Sequence, residues 1–126
     1  MSPEYVTEWI DKAEQDYQTV LILSRQRKNP LPDIICFHAH QCAEKYLKAL
    51  LAKHKRHIEK THDLLFLVDQ LKDVEPELEL LRDILRRLNR YAVRFRYPGE
   101  GTTHQEAQWV IKQIKEVQRT LLLKLK

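Results

Sequence analysis

Glycine occupies only two of 126 positions, Gly99 and Gly101, so cost-free left-handed backbone is confined to one place in the chain. The remaining residues, rich in Leu, Lys, Glu, Gln, Arg and Ala, are those that favour helices. Apolar periodicity agrees. After Ser2-Pro3, a capping residue followed by a proline suited to the first turn, Val6, Trp9, Ile10, Ala13, Tyr17, Val20 and Leu21 recur at helical spacing. Asn29-Pro30-Leu31-Pro32 breaks that run. A second helix is expected over residues 33–53. It is apolar nearly all round at first (Ile34, Ile35, Cys36, Phe37, Ala39), and a polar strip then opens at Gln41, Glu44, Lys45 and Lys48. Such a helix belongs at the centre of a bundle or on the seam of a dimer.

A shorter helix is expected over residues 62–72, carrying Leu64, Leu65, Leu67, Val68 and Leu71. Pro76 opens a fourth, whose inner stripe of Leu81, Ile84, Leu85, Leu88, Ala92 and Phe95 runs to Pro98-Gly99-Glu100-Gly101. Thr103 and Glu106 form a capping box ahead of a fifth helix with Ala107, Val110, Ile111, Ile114, Val117 and Leu121 inward. Sustained strand-type alternation is absent, as are internal repeats. The expected fold is one all-α domain over residues 1–126, an up-and-down antiparallel bundle of four to five helices.

A chain of this length buries roughly two-thirds of the surface it exposes when unfolded, enough for a core without staples. It holds no apolar run long enough to cross a bilayer, and its N-terminus lacks the pattern of a secretion signal, so the expected location is the cytoplasm. Cys36 and Cys42 fall on different faces of one helix, which predicts buried free thiols rather than a disulfide. Charge is unevenly spread. Residues 41–60 are basic, residues 61–81 carry six acids against one base, and residues 82–96 carry six arginines against one acid. These blocks can pair within the fold, between subunits or with a partner.

Three constellations could carry chemistry. Cys36 with His40, and His38 with Cys42, have a chelating i,i+4 spacing, but the two pairs point apart and cannot share an ion, so no metal and no cofactor are expected. The His54, His57 and His62 connection, with Lys53, Lys55, Arg56 and Lys60, contains no aromatic residue to stack a base and reads as a solvated loop. Arg86, Arg90 and Arg94 form an i,i+4 stripe, with Asp83 placed to pair with Arg86 or Arg87. That stripe leads through Arg96 and Tyr97 to the glycine turn and the start of the last helix, where His104 lies. Guanidinium groups beside a helix N-terminus suit a phosphate, and such an end keeps a histidine neutral. Arg90, Arg94, Arg96, Tyr97 and His104 are therefore the candidate nucleotide- or phosphate-binding residues. The alternative is an ordinary interhelical turn.

The segment Phe37-His38-Ala39-His40-Gln41-Cys42-Ala43-Glu44-Lys45-Tyr46-Leu47-Lys48-Ala49-Leu50-Leu51 resembles the signature second helix of HEPN (higher eukaryote and prokaryote nucleotide-binding) domains. Ala13-Glu14-Gln15-Asp16-Tyr17, Thr61-His62-Asp63-Leu64 and Arg96-Tyr97-Pro98 are similar to that family's shorter motifs, and the resemblance covers nearly the whole chain. It implies a five-helix bundle that forms a homodimer and acts with a minimal nucleotidyltransferase as a toxin–antitoxin pair. Many such domains cleave RNA without metal through an arginine followed by four to six residues and a histidine. Here Asn89-Arg90 begins that motif, yet positions 95, 96 and 97 are Phe, Arg and Tyr. Arg96 and His104 are spaced too widely, while Arg56 and His62 match the spacing in the wrong connection.

The leading expectation is thus a dimeric nucleotide- or RNA-binding module partnered by a nucleotidyltransferase. A metal-independent ribonuclease using Arg90 or Arg96 with His104 is the first alternative. A helical adaptor that uses the surplus leucines of Leu121-Leu122-Leu123-Lys124-Leu125 is the second.

Overall fold

The computed structural model describes residues 2–93 and 97–126. Five α-helices form the bundle expected: α1 (Pro3–Ser24), α2 (Pro32–Lys53), α3 (Leu64–Leu71), α4 (Arg82–Leu88) and α5 (His104–Leu125). No strand occurs among the described residues. Ser2 caps α1 by accepting from the Tyr5 N–H, with Pro3 at the first position, and Asp63 caps α3 through the N–H groups of Leu65 and Phe66. α2 is the central rod. It packs against α1, α5, α3 and α4, which is why a helix with so few polar positions is tolerated. Tyr46, Leu47, Leu50 and Leu51 of α2 meet Leu64, Leu67, Leu85, Leu88, Ile114 and Leu121 in one continuous core. Among the described residues, no helix is long and apolar enough to cross a membrane.

The fourth helix departs from expectation. Instead of one rod from Pro76, a 3-10 turn (Pro76–Leu81) leads into the short α4, and a second 3-10 turn (Asn89–Tyr91) follows. Leu85 and Leu88 are buried as the stripe predicts, but Leu81 and Ile84 are half-exposed, and Phe95 lies outside the described residues. The far end is tied to another element. The Asn89 side chain accepts from the Leu64 N–H and donates to Asp63 Oδ1, both at 2.9 Å, so it is spent on the start of α3.

The polar strip on α2 is also different from its sequence reading. Glu44 and Lys48 are buried, because each neutralises the other and His62 closes over Glu44 at 2.7 Å. The Lys48 ammonium lies 5.7 Å from the centre of the Trp9 ring. On α1, the inward face includes a carboxylate, Asp16, that the apolar pattern omits. Glu14 accepts from Tyr46 Oη and from Gln118 Nε2, tying α1, α2 and α5 together.

The charged blocks pair within the fold. Arg56 makes a two-pronged contact with Asp73, both prongs at 2.6 Å, and donates to the Gln70 carbonyl. His54 meets Glu75, Lys124 meets Glu75 and Glu77, and Arg82 bridges Asp69 and Glu79. His54 and Arg56 thus tie the His-rich connection to the acidic segment, while Lys53, Lys55, His57 and Lys60 are exposed as a solvated loop would have them.

Candidate functional site

The candidate corner is assembled from three chain segments. Asn89 anchors the end of α4 against α3, and Arg90 follows within the same 3-10 turn. Tyr91 is buried, and its hydroxyl donates to Glu106 Oε2 at 2.7 Å. Glu106 is the third residue of α5. Its N–H donates to Thr103 Oγ1 at 3.0 Å while its own carboxylate accepts from the Thr103 N–H, completing the capping box. The turn ahead of α5 is pinned to α2, since the Thr102 N–H donates to Asp33 Oδ1 at 2.7 Å. Gly99 adopts φ +91, a conformation that side chains oppose, and the Glu100 N–H closes the turn onto the Tyr97 carbonyl.

Between these segments lies an open pocket of about 330 Å³, lined by Arg90, Tyr91, Gly99, Glu100, Gly101, Thr102 and Glu106. Its electrostatics are mixed. The hydrogen bond from Tyr91 holds the Glu106 carboxyl below its ordinary range, helped by Thr103 and by the charge of Arg90. Burial, then the bond to Glu106, pushes the Tyr91 hydroxyl well above its ordinary value, so it stays a donor. The capping box already occupies part of the α5 N-terminus, so that end is less open to an anion than the sequence suggests. What the pocket offers is one guanidinium, two carboxylates and turn backbone.

Of the five candidate residues, Arg90 lines this pocket and Tyr97 stands at the head of its turn, 78% exposed. Arg94 and Arg96 lie outside the described residues. His104, the first residue of α5, is directed elsewhere. It lines a separate cleft with Leu23, Ser24, Gln26, Pro30 and Pro32 at the α1–α2 turn. Within the arginine stripe, Arg86 pairs with Asp83 at 2.6 Å, as their spacing suggests, and the neighbouring Arg87 stacks 3.6 Å over the Trp109 ring. Arg56 and His62, which match the ribonuclease spacing, are held apart, Arg56 in an ion pair with Asp73 and His62 in a hydrogen bond to Glu44.

No metal-binding group of His, Cys, Asp or Glu occurs among the described residues. Cys36 and Cys42 are buried and are not joined in a disulfide, as their spacing predicts. His40 donates through Nε2 to the His62 carbonyl at 2.8 Å, and His38 is bound to Asp16. Sequence reasoning missed the structural role of Asn89 and the Asp16–His38 contact. Adjacency to Arg90 was the available signal for the first. The second joins residues 22 positions apart, and nothing local announces it.

The family model described as HEPN domain matches residues 6–125. Neither a curated protein nor a solved structure matches the chain.

Proposed function

Since the chain belongs to the HEPN domain family, a class of nucleotide- and RNA-related helical modules, we propose that it binds a nucleotide or RNA at the Arg90 corner. The observation that carries this reading is the pocket that Arg90 shares with residues 99–102, with the exposed Tyr97 two residues before Gly99 in the same turn. Its volume is at the lower end of that of small-ligand sites, which is roughly 300–1,000 Å³. A guanidinium suits a phosphate, an exposed tyrosine ring suits a base, and Glu100 and Glu106 are acceptors for amino or hydroxyl donors.

In the same reading the module acts as a homodimer beside a minimal nucleotidyltransferase, in a toxin–antitoxin-like pair. Exposed Val93 and Tyr97 supply apolar surface next to the corner for such contacts. A ribonuclease built on Arg90 and His104 has less support, because the two line different pockets.

Calorimetry with ATP and with short single-stranded RNAs tests the binding site. Wild-type protein binds at least one of them, and Arg90→Ala weakens that binding about tenfold or more, the scale of a lost charge-assisted contact. Wild-type protein that ignores all of them, alone and with a co-expressed nucleotidyltransferase, removes the proposal. Sedimentation of the purified chain tests the dimer.

A further inference from the structure

We propose that Asp16, His38 and Lys45 form a second subsite, on the α1–α2 face, that reads a ribose 2′-hydroxyl and its adjoining phosphate. The inference rests on the reading of this chain as a nucleotide- or RNA-binding module and adds to it the basis for preferring ribose over deoxyribose.

His38 and Lys45 are two turns apart on α2 and so project from one face of that helix. Asp16 of α1 is bound to both. Its Oδ1 lies 2.8 Å from His38 Nδ1 and its Oδ2 lies 2.6 Å from Lys45 Nζ. The carboxylate is only 10% exposed, while the imidazole and the ammonium-bearing chain are each 24% exposed. The acid is thus the hidden support, and the two groups it holds reach the surface. Nearby on the same helices, Ala13, Val20, Ala39 and Cys42 are fully buried. An apolar side chain in place of Asp16 would pack such an interface without the cost of enclosing a charge.

What the charge does is orient the ring. A carboxylate can only accept, so Nδ1 must carry a proton and donate it. In the neutral ring this leaves the Nε2 lone pair as an acceptor with a fixed direction. Nε2 has no partner among the described residues, and it is not among the buried unpartnered atoms, which are Trp9 Nε1 and His40 Nδ1. It is therefore not sealed from solvent. Beside it stands an ammonium with protons beyond the one given to Asp16. Gln41, three residues after His38 and four before Lys45, is half-buried on the same face, and exposed Lys12 lies one turn before Asp16 on α1.

A fixed acceptor next to a cation is the complement of an O–H donor next to an anion. In nucleic acids that pair is the 2′-hydroxyl and the phosphate on the neighbouring 3′ position. DNA supplies the phosphate but not the hydroxyl. Lys45 and Lys12 would then attract either polymer, and His38 would distinguish them.

The test is fluorescence anisotropy of the whole chain with a short single-stranded RNA, DNA of the same sequence, and the 2′-O-methyl RNA. Wild-type protein prefers RNA over DNA by about tenfold, the worth of one good hydrogen bond. The 2′-O-methyl strand binds like DNA. His38→Leu, in which Asp16 still holds Lys45, brings the RNA-to-DNA ratio close to one, while Lys45→Gln weakens both strands alike. If His38→Leu keeps the RNA preference, or wild type shows none, the subsite is wrong and RNA binding at Arg90 stands. If wild type binds neither strand, the subsite falls, and the Arg90 proposal falls with it only if ATP is ignored as well. Should His38→Leu fail to fold, His38→Phe, which keeps a planar ring but has no acceptor nitrogen, takes its place, and an RNA preference kept in that variant overturns the subsite.

Discussion

Glu44 and Lys48, one turn apart on α2, form an ion pair with Nζ 3.0 Å from Oε2 and with side chains only 5% and 8% exposed. The charges are withdrawn from water, so each depends on the other. Lys48→Met is expected to destabilise the fold by about 3–5 kcal/mol, because it leaves a buried carboxylate whose remaining partner is His62. Replacing both, Glu44→Leu with Lys48→Met, should recover most of that loss, since apolar residues of similar volume fit such sites well. Urea denaturation of the two singles and the double forms the cycle, and additive losses would contradict it.

His40 makes stability depend on pH. It is fully buried, and burial holds its imidazole below the usual 6.5, opposed more weakly by Glu44 and by the His62 carbonyl. The unfolded chain therefore takes up the proton first. The contribution of this group is fully present above pH 6.5 and is lost as pH falls from there through the folded value. Denaturation midpoints measured from pH 7.5 downward should fall across that window. His40→Gln, which still offers an amide donor to the His62 carbonyl, should flatten that part of the curve.

The two thiols make a simpler case. Both are buried, and burial, with Asp16 and Glu14 adding to it, raises the Cys42 thiol well above its ordinary value. Native protein at pH 8 should resist a thiol-titrating disulfide reagent. Denatured protein should react at both cysteines. Rapid reaction of either one before unfolding would show an access route that the structure lacks.

The starts of α1, α2 and α5 were legible because they depend on short-range chemistry. Ser2-Pro3, Pro30 and Pro32, and Thr103 with Glu106 act within one turn of the positions they control. What periodicity could not show was pairing across the fold. It assigned Glu44 and Lys48 to a polar strip, because their shelter comes from Trp9 and His62 on other elements. It extended the fourth helix through Asn89 because the competing partner, the α3 N-terminus, lies 25 residues away. At the candidate site the same limit applied. Adjacency in sequence grouped Arg90 with His104, whereas the entry of α5, set by Thr102 on Asp33, turns His104 towards the α1–α2 turn.

The glycine turn gives the last prediction, one that separates geometry from crowding. No heavy atom lies within 4 Å of a side-chain carbon added at either Gly99 or Gly101. The two differ only in backbone: Gly99 has φ +91, while Gly101 lies outside the left-handed range. Gly99→Ala should therefore cost about 1–2 kcal/mol through strain alone. Gly101→Ala should be neutral or slightly stabilising, since it narrows the unfolded ensemble without a native penalty. Because Gly99 and Arg90 line one pocket, strain released by opening the turn should also reshape that pocket. Gly99→Ala is thus expected to weaken nucleotide or RNA binding more than Gly101→Ala, since both line the pocket but only the first strains the turn. Equal loss of affinity in both variants would mean that the ligand contacts the turn at Gly101 directly, where an added methyl would intrude. Unchanged affinity in Gly99→Ala would mean that the turn's shape does not govern the Arg90 pocket.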